Sequence, residues 1–558
     1  MQEVEWQLDA VDLRPVERWL QARQSATAPE RDRQANAEAP QAAPEISYHP
    51  QTPRTISDTY FDTPDWRLNR AGLTLRLRAE NGAHIVTLKT TEAAVDGLRT
   101  RTEIEDRLPS ADLQTLMDSE TRAGTWVRAL TGSQPLQPLF SLECTRLPYS
   151  VLVDGIPRGE IALDDTLFPL AGDREPVRLK RVEVEVRTDA VEALRPFLED
   201  LRAACRLTPG TTSKFETGLL AHGLAPQPQP ALGATGVFAS QSIGELAFAI
   251  LRRQFLAFLQ NEPGTRVGED PESLHDMRVA ARRMRAAMAL FSPALPARAG
   301  RMRQELRWIG GVLGEVRDTD IQLERIAGWA RESGEAELAA LRMLSVVLER
   351  RRQQARGRLL RAFESRRYQL LVQGMTSMLQ RGPLRRSMNA RTPALALLPE
   401  IVAAHQARVV KLGERIEIDT PPEIYHRLRI RCKRLRYAVE FSREVYGPPA
   451  EEFVQVMVAM QDLLGMHQDA YVAVASLEAL LQSEARRLPP RALFLMGQIS
   501  QRYMHEAARL RKRFPKTFRP VKGKPWIRLQ ESMEKSRPAG WPEIAAPVAR
   551  VAEEVSGD

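Results

Sequence analysis

Cysteine is nearly absent from this 558-residue chain, with three in all. Cys144, Cys205 and Cys432 are widely separated, so they form neither a disulfide framework nor a CxxC metal knuckle. Apolar runs are short: none reaches membrane-spanning length, and a soluble protein is expected. The opening MQEVEWQLDAVDLRPVERWL alternates charge and has no signal-peptide apolar stretch, so cytoplasm is the expected compartment. No P-loop motif supports ATP binding by that route. Aromatic residues make up only 6%.

Charge is what the chain has in excess, and it is unevenly placed. The net charge of +9 divides into +17 over residues 241–520 and −8 over the remainder. A basic half of that size attracts polyanions such as nucleic acid, polyphosphate or an anionic membrane surface. Within it, His275, Arg278, Arg282, Arg283 and Arg285 recur 151 positions later as His426, Arg429, Lys433, Arg434 and Arg436. Leu313, Gly314 and Asp318 match Leu464, Gly465 and Asp469 at the same offset, which marks a duplicated unit. On a helix, positions 0, +3, +7 and +10 fall within an arc of roughly 80°, with +8 on its flank. Such a face can be a solvated surface balanced by neighbouring acids, or a grip for phosphate oxygens by guanidinium forks. Its repetition favours an external polyanion, and the absence of interleaved aromatics makes base recognition less favoured.

Residues 1–220 read as β-rich. Stretches such as Glu3-Val-Glu-Trp-Gln-Leu8, Leu73-Thr-Leu-Arg-Leu-Arg78, Ile85-Val-Thr-Leu-Lys89 and Val182-Glu-Val-Glu-Val-Arg187 alternate with period two. The second face of each is charged with both signs, so it either meets solvent or lines the wet interior of a closed barrel. Residues 22–45, rich in Ala, Gln, Pro and Glu, read as a flexible insertion, and 221–238 as a Pro-rich linker. Helical periodicity over 239–520 predicts a bundle of two related sub-bundles, and 521–558 reads as a loosely ordered tail. The expected fold class is therefore α+β multidomain, an antiparallel β-barrel with helices followed by an all-α repeat bundle.

Glu3 and Glu5 share a strand face, as do Glu183 and Glu185. Four carboxylates converging in a barrel repel one another unless a cation sits between them, and a hard divalent ion, Mg²⁺ or Mn²⁺, suits oxygen ligands. Arg76 and Arg78 share another face, and Lys89, Arg101, Arg146 and Lys214 are further candidates for the same interior. Acids on one wall and bases on the other can hold a metal and a phosphate chain together.

Glu-x-Glu near the start, Tyr60-Phe-Asp-Thr-Pro64, Leu75-Arg-Leu-Arg78, Leu88-Lys89, Arg101-x-Glu103-x-Glu105, Glu183-x-Glu185 and Ser213-Lys214 follow the order and approximate spacing of the CYTH domain. Residues 1–220 thus resemble the triphosphate tunnel metalloenzymes, eight-stranded antiparallel barrels that hydrolyse inorganic triphosphate, nucleoside triphosphates or related compounds with a divalent metal. The resemblance implies that Glu3, Glu5, Glu183 and Glu185 hold the metal or its waters. It also implies that Arg76, Arg78, Lys89, Arg101, Arg146 and Lys214 grip phosphate, with Asp164 joining the acidic wall. No residue stands out as general base. The chain departs from the family at Gln7, where the signature Glu-x-Glu-x-Lys has lysine. Losing one charge-assisted contact costs about 1.5–3 kcal/mol, so a non-enzymatic polyphosphate-binding or granule-associated scaffold is the alternative to a triphosphatase.

The doubled His-x-x-Arg face with its downstream Leu313-Gly-Glu-Val-Arg-Asp318 and Leu464-Gly-Met-His-Gln-Asp469 resembles the CHAD domain, a helical family associated with inorganic polyphosphate. The resemblance assigns polyphosphate contact to both copies of the face, from His275 to Arg285 and from His426 to Arg436. Asp318 and Asp469 either touch ligand or, as acids near such helices do, brace the arginines, and the resemblance allows a place at polyphosphate granules.

Overall fold

The computed structural model describes residues 2–26, 45–110, 112–226, 230–332, 334–484 and 490–541. The chain forms two compact units, Met1–Gln229 and Pro230–Asp558.

The first unit carries ten strands: β1 (Gln2–Asp9), β2 (Ile46–Pro50), β3 (Arg54–Asp62), β4 (Leu73–Glu80), β5 (Ala83–Thr90), β6 (Leu98–Leu108), β7 (Gln137–Val153), β8 (Ile156–Phe168), β9 (Val177–Val186) and β10 (Thr208–Pro209). Eight pair in the order β1-β6-β5-β4-β3-β7-β8-β9, and β9 pairs back onto β1, closing an antiparallel barrel. Strand β2 is added to β7 and β10 to β1. The helices are α1 (Arg14–Ala26), α2 (Arg67–Arg70), α3 (Leu113–Asp118), α4 (Arg122–Thr131), α5 (Val191–Cys205) and α6 (Lys214–His222).

Period-two alternation explains which face goes where. Val4, Trp6 and Leu8 of β1 and Val182, Val184 and Val186 of β9 turn outward and pack with Val16 and Leu20 of α1 and Leu194, Phe197 and Leu201 of α5. The polar face, Glu3, Glu5 and Gln7 included, is left to line the interior. Toward α6 the interior becomes apolar, with Tyr60, Phe140, Leu142 and Phe168 packed against Phe215 and Leu219 of that helix. Gly218 permits this approach, because a Cβ there would fall 2.1 Å from the Phe140 ring. Of the expected insertion, residues 22–26 belong to α1, whereas 27–44 lie outside the described residues.

Among its described residues the second unit carries the helices α7 (Ile243–Gln260), α8 (Glu262–Val267), α9 (Pro271–Leu290), α10 (Arg298–Glu332), α11 (Glu335–Glu364), α12 (Arg366–Arg381), α13 (Met388–Arg391), α14 (Ala394–Gly413), α15 (Pro422–Glu440), α16 (Arg443–Tyr446), α17 (Pro448–Glu484), α18 (Pro490–Phe518) and α19 (Lys524–Lys535). The 151-residue offset carries α7 onto α14, α9 onto α15, α10 onto α17 and α11 onto α18. One buried core runs through both repeats.

The offset also explains a difference from expectation at the C-terminus. Residues 524–535, expected to be loosely ordered, form α19, which buries Trp526, Leu529 and Met533. Trp526 and Leu529 are the repeat equivalents of Met375 and Met378, both buried on α12. Helix α19 is thus the fifth element of the second repeat, hidden in the sequence by its flanking prolines, glycines and charges. The remaining tail, 542–558, lies outside the described residues. No helix is long and apolar enough to cross a membrane among the described residues.

Candidate functional site

The barrel interior gathers the ten residues singled out for it, and it pairs all of them but Glu185. Glu3 accepts hydrogen bonds from Lys89 Nζ at 2.7 and 2.9 Å, and Glu103 lies 3.2 Å from the same ammonium. Glu5 is bonded to Arg101. Arg78 makes a two-pronged contact with Asp58 at 2.8 and 3.0 Å, and Arg76 reaches the same carboxylate at 3.5 Å. Arg146 forks onto Asp164 at 2.8 and 2.6 Å and also reaches Glu183 at 2.8 Å. Lys214 bonds Asp164 and stands 2.9 Å from Glu183.

Local structure aims these groups. Ser213 caps α6, accepting from Glu216 N, while the Glu216 carboxylate accepts from Ser213 N. That capping box fixes Lys214 as the first helical residue, with its side chain buried in the lumen. Direct pairing of β1 with β9 puts Glu5 opposite Glu185 and Gln7 opposite Glu183. A cavity of about 410 Å³ lies among these side chains, lined by Glu5, Arg76, Lys89, Arg101, Glu183 and Lys214 with others.

Ionisation follows the pairing. Burial would raise Glu183, but the Lys214 and Arg146 cations hold it well below the carboxylate range. Burial opposes the charge of Asp58 too, yet Arg76 and Arg78 bring it down to about 2. For Glu5, burial and the Glu183 charge prevail over Arg101, so its carboxyl is raised. Glu185 makes no ion pair among the described residues; although its side chain keeps contact with solvent, partial desolvation and the neighbouring Glu3 carboxylate push it up to about 7. No cluster of three or more His, Cys, Asp or Glu arranged to hold a metal ion occurs among the described residues.

The strands also deliver residues that motif reading passed over. Asp58 is 1% exposed and is the counter-ion of two arginines. Arg99 is buried beside Arg101, donating to the Glu92 and Thr211 carbonyls. Arg181 is fully buried; its Nε donates to Asp9 at 2.7 Å, its Nη1 meets Gln7 Oε1 at 3.4 Å, and its Nη2 has no partner in the described structure. Period two would have found all three, since each shares a strand face with a residue already singled out: Tyr60, Arg101 and Glu183.

In the helical unit, α9 and α15 bring the two basic faces together. Arg282 Nε donates to the Tyr437 hydroxyl at 2.7 Å and Arg283 to Glu440 at 3.2 Å, both contacts running from one repeat to the other. Arg436 lies 3.3 Å from the same Glu440. Burial and the charges of Arg429, Arg282 and Arg278 push Lys433 down to about 7, so that lysine meets cations from both copies. Asp318 stands 3.5 Å from Arg278, and Asp469 stands 3.7 Å from Arg325. His426 Nδ1 is 3.0 Å from Gln468 Oε1, while His275 and Arg285 sit half-buried on α9. The repeated glycines lie beside repeated arginines: a Cβ at Gly314 would be 3.7 Å from Arg278, and one at Gly465 3.8 Å from Arg429. Arg434 is the flanking member of its group. Eight residues past His426 it has turned about 80° round the helix, and it is exposed near Arg408 and Arg431.

Comparison with known proteins agrees with this division. Residues 30–219 match the CYTH domain and residues 249–478 the CHAD domain. An inorganic triphosphatase of Haemophilus influenzae is 30% identical over 165 residues, 30% of this chain and 45% of that protein, so the chain spans less than half of that relative. Among solved structures, the CHAD domain from the plant Ricinus communis is 25% identical, covering 54% of this chain and 98% of its own, with a TM-score of 0.44. A putative adenylyl cyclase from Hippeastrum, described as having a dominant triphosphatase activity, is 16% identical, covering 41% and 100%, with a TM-score of 0.29. The closed barrel with its charged lumen and the twofold helical repeat are a CYTH domain followed by a CHAD domain.

Proposed function

We propose that the barrel hydrolyses inorganic triphosphate or a related triphosphate with a divalent metal, Mg²⁺ or Mn²⁺, and that the helical unit binds inorganic polyphosphate. The observation that carries the first part is the lumen itself. Six cations, Arg76, Arg78, Lys89, Arg101, Arg146 and Lys214, stand inside one closed barrel against an array of carboxylates. Guanidinium and ammonium groups held in a water-poor site are suited to phosphate oxygens and to the charge that develops on them during transfer. Glu3, Glu5, Glu183 and Glu185 supply the hard oxygen donors that such a metal takes. Glu185, crowded by Glu3, Glu103 and Glu5, is a charge that a cation would relieve. When bound, the metal would neutralise phosphoryl oxygens. Arg146 and Lys214 would orient the phosphate chain, and Asp164, fully buried, would keep both cations in place. The relative from Haemophilus influenzae supports the same reaction class.

The scaffold alternative rested on the missing charge at Gln7. Arg181, ion-paired with Asp9, stands behind Gln7 and keeps a cation next to that part of the lumen wall, which favours the hydrolase. For the helical unit, the convergence of α9 and α15 on Lys433 supports a single polyanion gripped by both repeats.

The test is phosphate release from inorganic triphosphate with Mg²⁺ or Mn²⁺, using a Glu3→Ala/Glu5→Ala control whose melting curve confirms folding. Metal-dependent release that the control lacks is expected. Release that survives the double substitution would remove the lumen from the reaction.

A further inference from the structure

Helix α15 carries a second basic row that the paired faces do not use. Arg427, Arg431 and Arg434 follow one another at spacings of four and three, so they share one side of the helix, more than 90° from the row that includes Arg429 and Lys433. Helix α14 lies against that side, and Arg431 Nη1 donates to the Arg408 carbonyl oxygen at 3.0 Å. Arg408 on α14 and Arg415, in the turn just past its end, complete five guanidinium groups along the seam between the two helices.

None of the five makes an ion pair among the described residues. Glu423, one turn before Arg427, does not pair with it. Burial and the neighbouring arginines hold Arg431 below the usual guanidinium range, and Arg408 likewise by burial and Arg434. His405, in the same seam, is pushed down to about 4 by burial, Arg408 and Arg434, and so adds no charge at neutral pH. Like charges one turn apart are unfavourable, and here no carboxylate among the described residues forms an ion pair with them.

The repeat shows that the fold does not require this row. The equivalents of Arg408, Arg415, Arg427 and Arg431 in the first copy are Ala257, Gly264, Asp276 and Ala280. The equivalent of Arg434 is Arg283, which is spent on Glu440. One copy therefore has a neutral seam and the other a strongly cationic one on the same backbone plan.

We infer that the α14–α15 seam is a second anion site, which takes a stretch of inorganic polyphosphate beyond the part held by the paired α9 and α15 faces. This rests on the reading of the helical unit as a polyphosphate binder. Polyphosphate fits better than nucleic acid, because the residues that define the seam are guanidinium groups beside the His405 imidazole, with no Phe, Tyr or Trp among them on which a base could stack. Both rows lie on α15, whose diameter with side chains is about 10 Å, so one long chain can occupy both and a triphosphate cannot.

The experiment measures binding of long-chain polyphosphate and of inorganic triphosphate to the full chain. It compares wild type, an outer variant (Arg427→Gln/Arg431→Gln/Arg434→Gln) and an inner variant (Arg278→Gln/Arg429→Gln). The outer variant is expected to lose long-chain affinity by about tenfold and to show a salt dependence shallower by roughly two charges. Its triphosphate binding and turnover stay unchanged. A charge-reversed pair at the exposed positions, Arg427→Glu/Arg434→Glu, repeats the test where folding is not at stake and should lose more. Unchanged long-chain affinity in both outer variants overturns the seam. Single-stranded RNA of matched charge binding as tightly, with the same loss in the outer variant, also overturns the assignment to polyphosphate. An inner variant that binds normally while the outer ones fail would overturn the paired-face reading and leave the seam standing.

Discussion

The Gln7 carboxamide is held between a carboxylate and a cation: its Nε2 donates to Glu5 Oε1 at 2.6 Å and its Oε1 lies 3.4 Å from Arg181 Nη1. A neutral bridge is what this spot accommodates, because Arg181 is fully buried and Arg99 is close by. Replacing Gln7 with lysine would place a third cation there. Gln7→Lys is therefore expected to lower triphosphate turnover rather than raise it, and Gln7→Lys/Arg181→Met to recover much of the loss. A steady-state kinetic double-mutant cycle checks this; a simple gain from Gln7→Lys alone would show that Arg181 does not stand in for the missing charge.

Asp58 neutralises Arg76 and Arg78 from a position with almost no solvent access. Asp58→Asn would leave two guanidinium groups without their counter-ion, which costs about 3–5 kcal/mol for a buried pair. Urea titration should show a lower midpoint with an unchanged slope. The pH dependence has a definite sign. A carboxyl held at about 2 contributes stability that is present above its unfolded value of 3.8 and is lost as pH falls toward 2. The variant should lack that acid-side loss.

Lys433 at about 7 makes polyanion binding a proton-linked event. A bound phosphate chain favours the ammonium, so binding above neutrality takes up a proton and affinity falls as pH rises from 6 to 9. Lys433→Arg keeps the charge throughout that range and should flatten the profile. Calorimetry in buffers of different ionisation enthalpy reads the proton directly; equal uptake in both proteins would assign the linkage to another group.

Gly314 and Gly465 do not owe their identity to steric crowding, since an added Cβ would meet the nearest arginine at ordinary contact distance. Gly314→Ala/Gly465→Ala is expected to leave stability unchanged or raise it by about 1 kcal/mol per site. The added methyls sit beside Arg278 and Arg429, where a phosphate chain would approach, so polyphosphate affinity should fall. Melting temperature and a binding isotherm on the same preparation separate the two effects.

Alternation and repetition were the legible signals. Period two on β1 and β9 told which side chains share a face, and barrel closure turned the charged faces inward. The 151-residue offset exposed the paired helices because identical residue types survive in both copies. Helix α19 was not legible, since its two copies share only burial: Met375 and Met378 on one side, Trp526 and Leu529 on the other. Asp58 and Arg181 escaped because motif spacing points to residues that would meet a ligand, whereas these two face other protein groups. The rotation that sets Arg434 on the flank of its group was legible from helical geometry, but its neighbours across the seam, Arg408 among them, were not.

Each of the six lumen cations already holds a carboxylate, so the barrel competes with its own ligand. An incoming anion has to draw these cations away from Glu3, Glu5, Asp58 or Glu183 before it is gripped. A monophosphate brings too little charge to displace several carboxylates at once, while a triphosphate can replace them together. If triphosphate is the substrate, selectivity for it would come from the strength of the resident rivals, without a pocket shaped to exclude smaller anions.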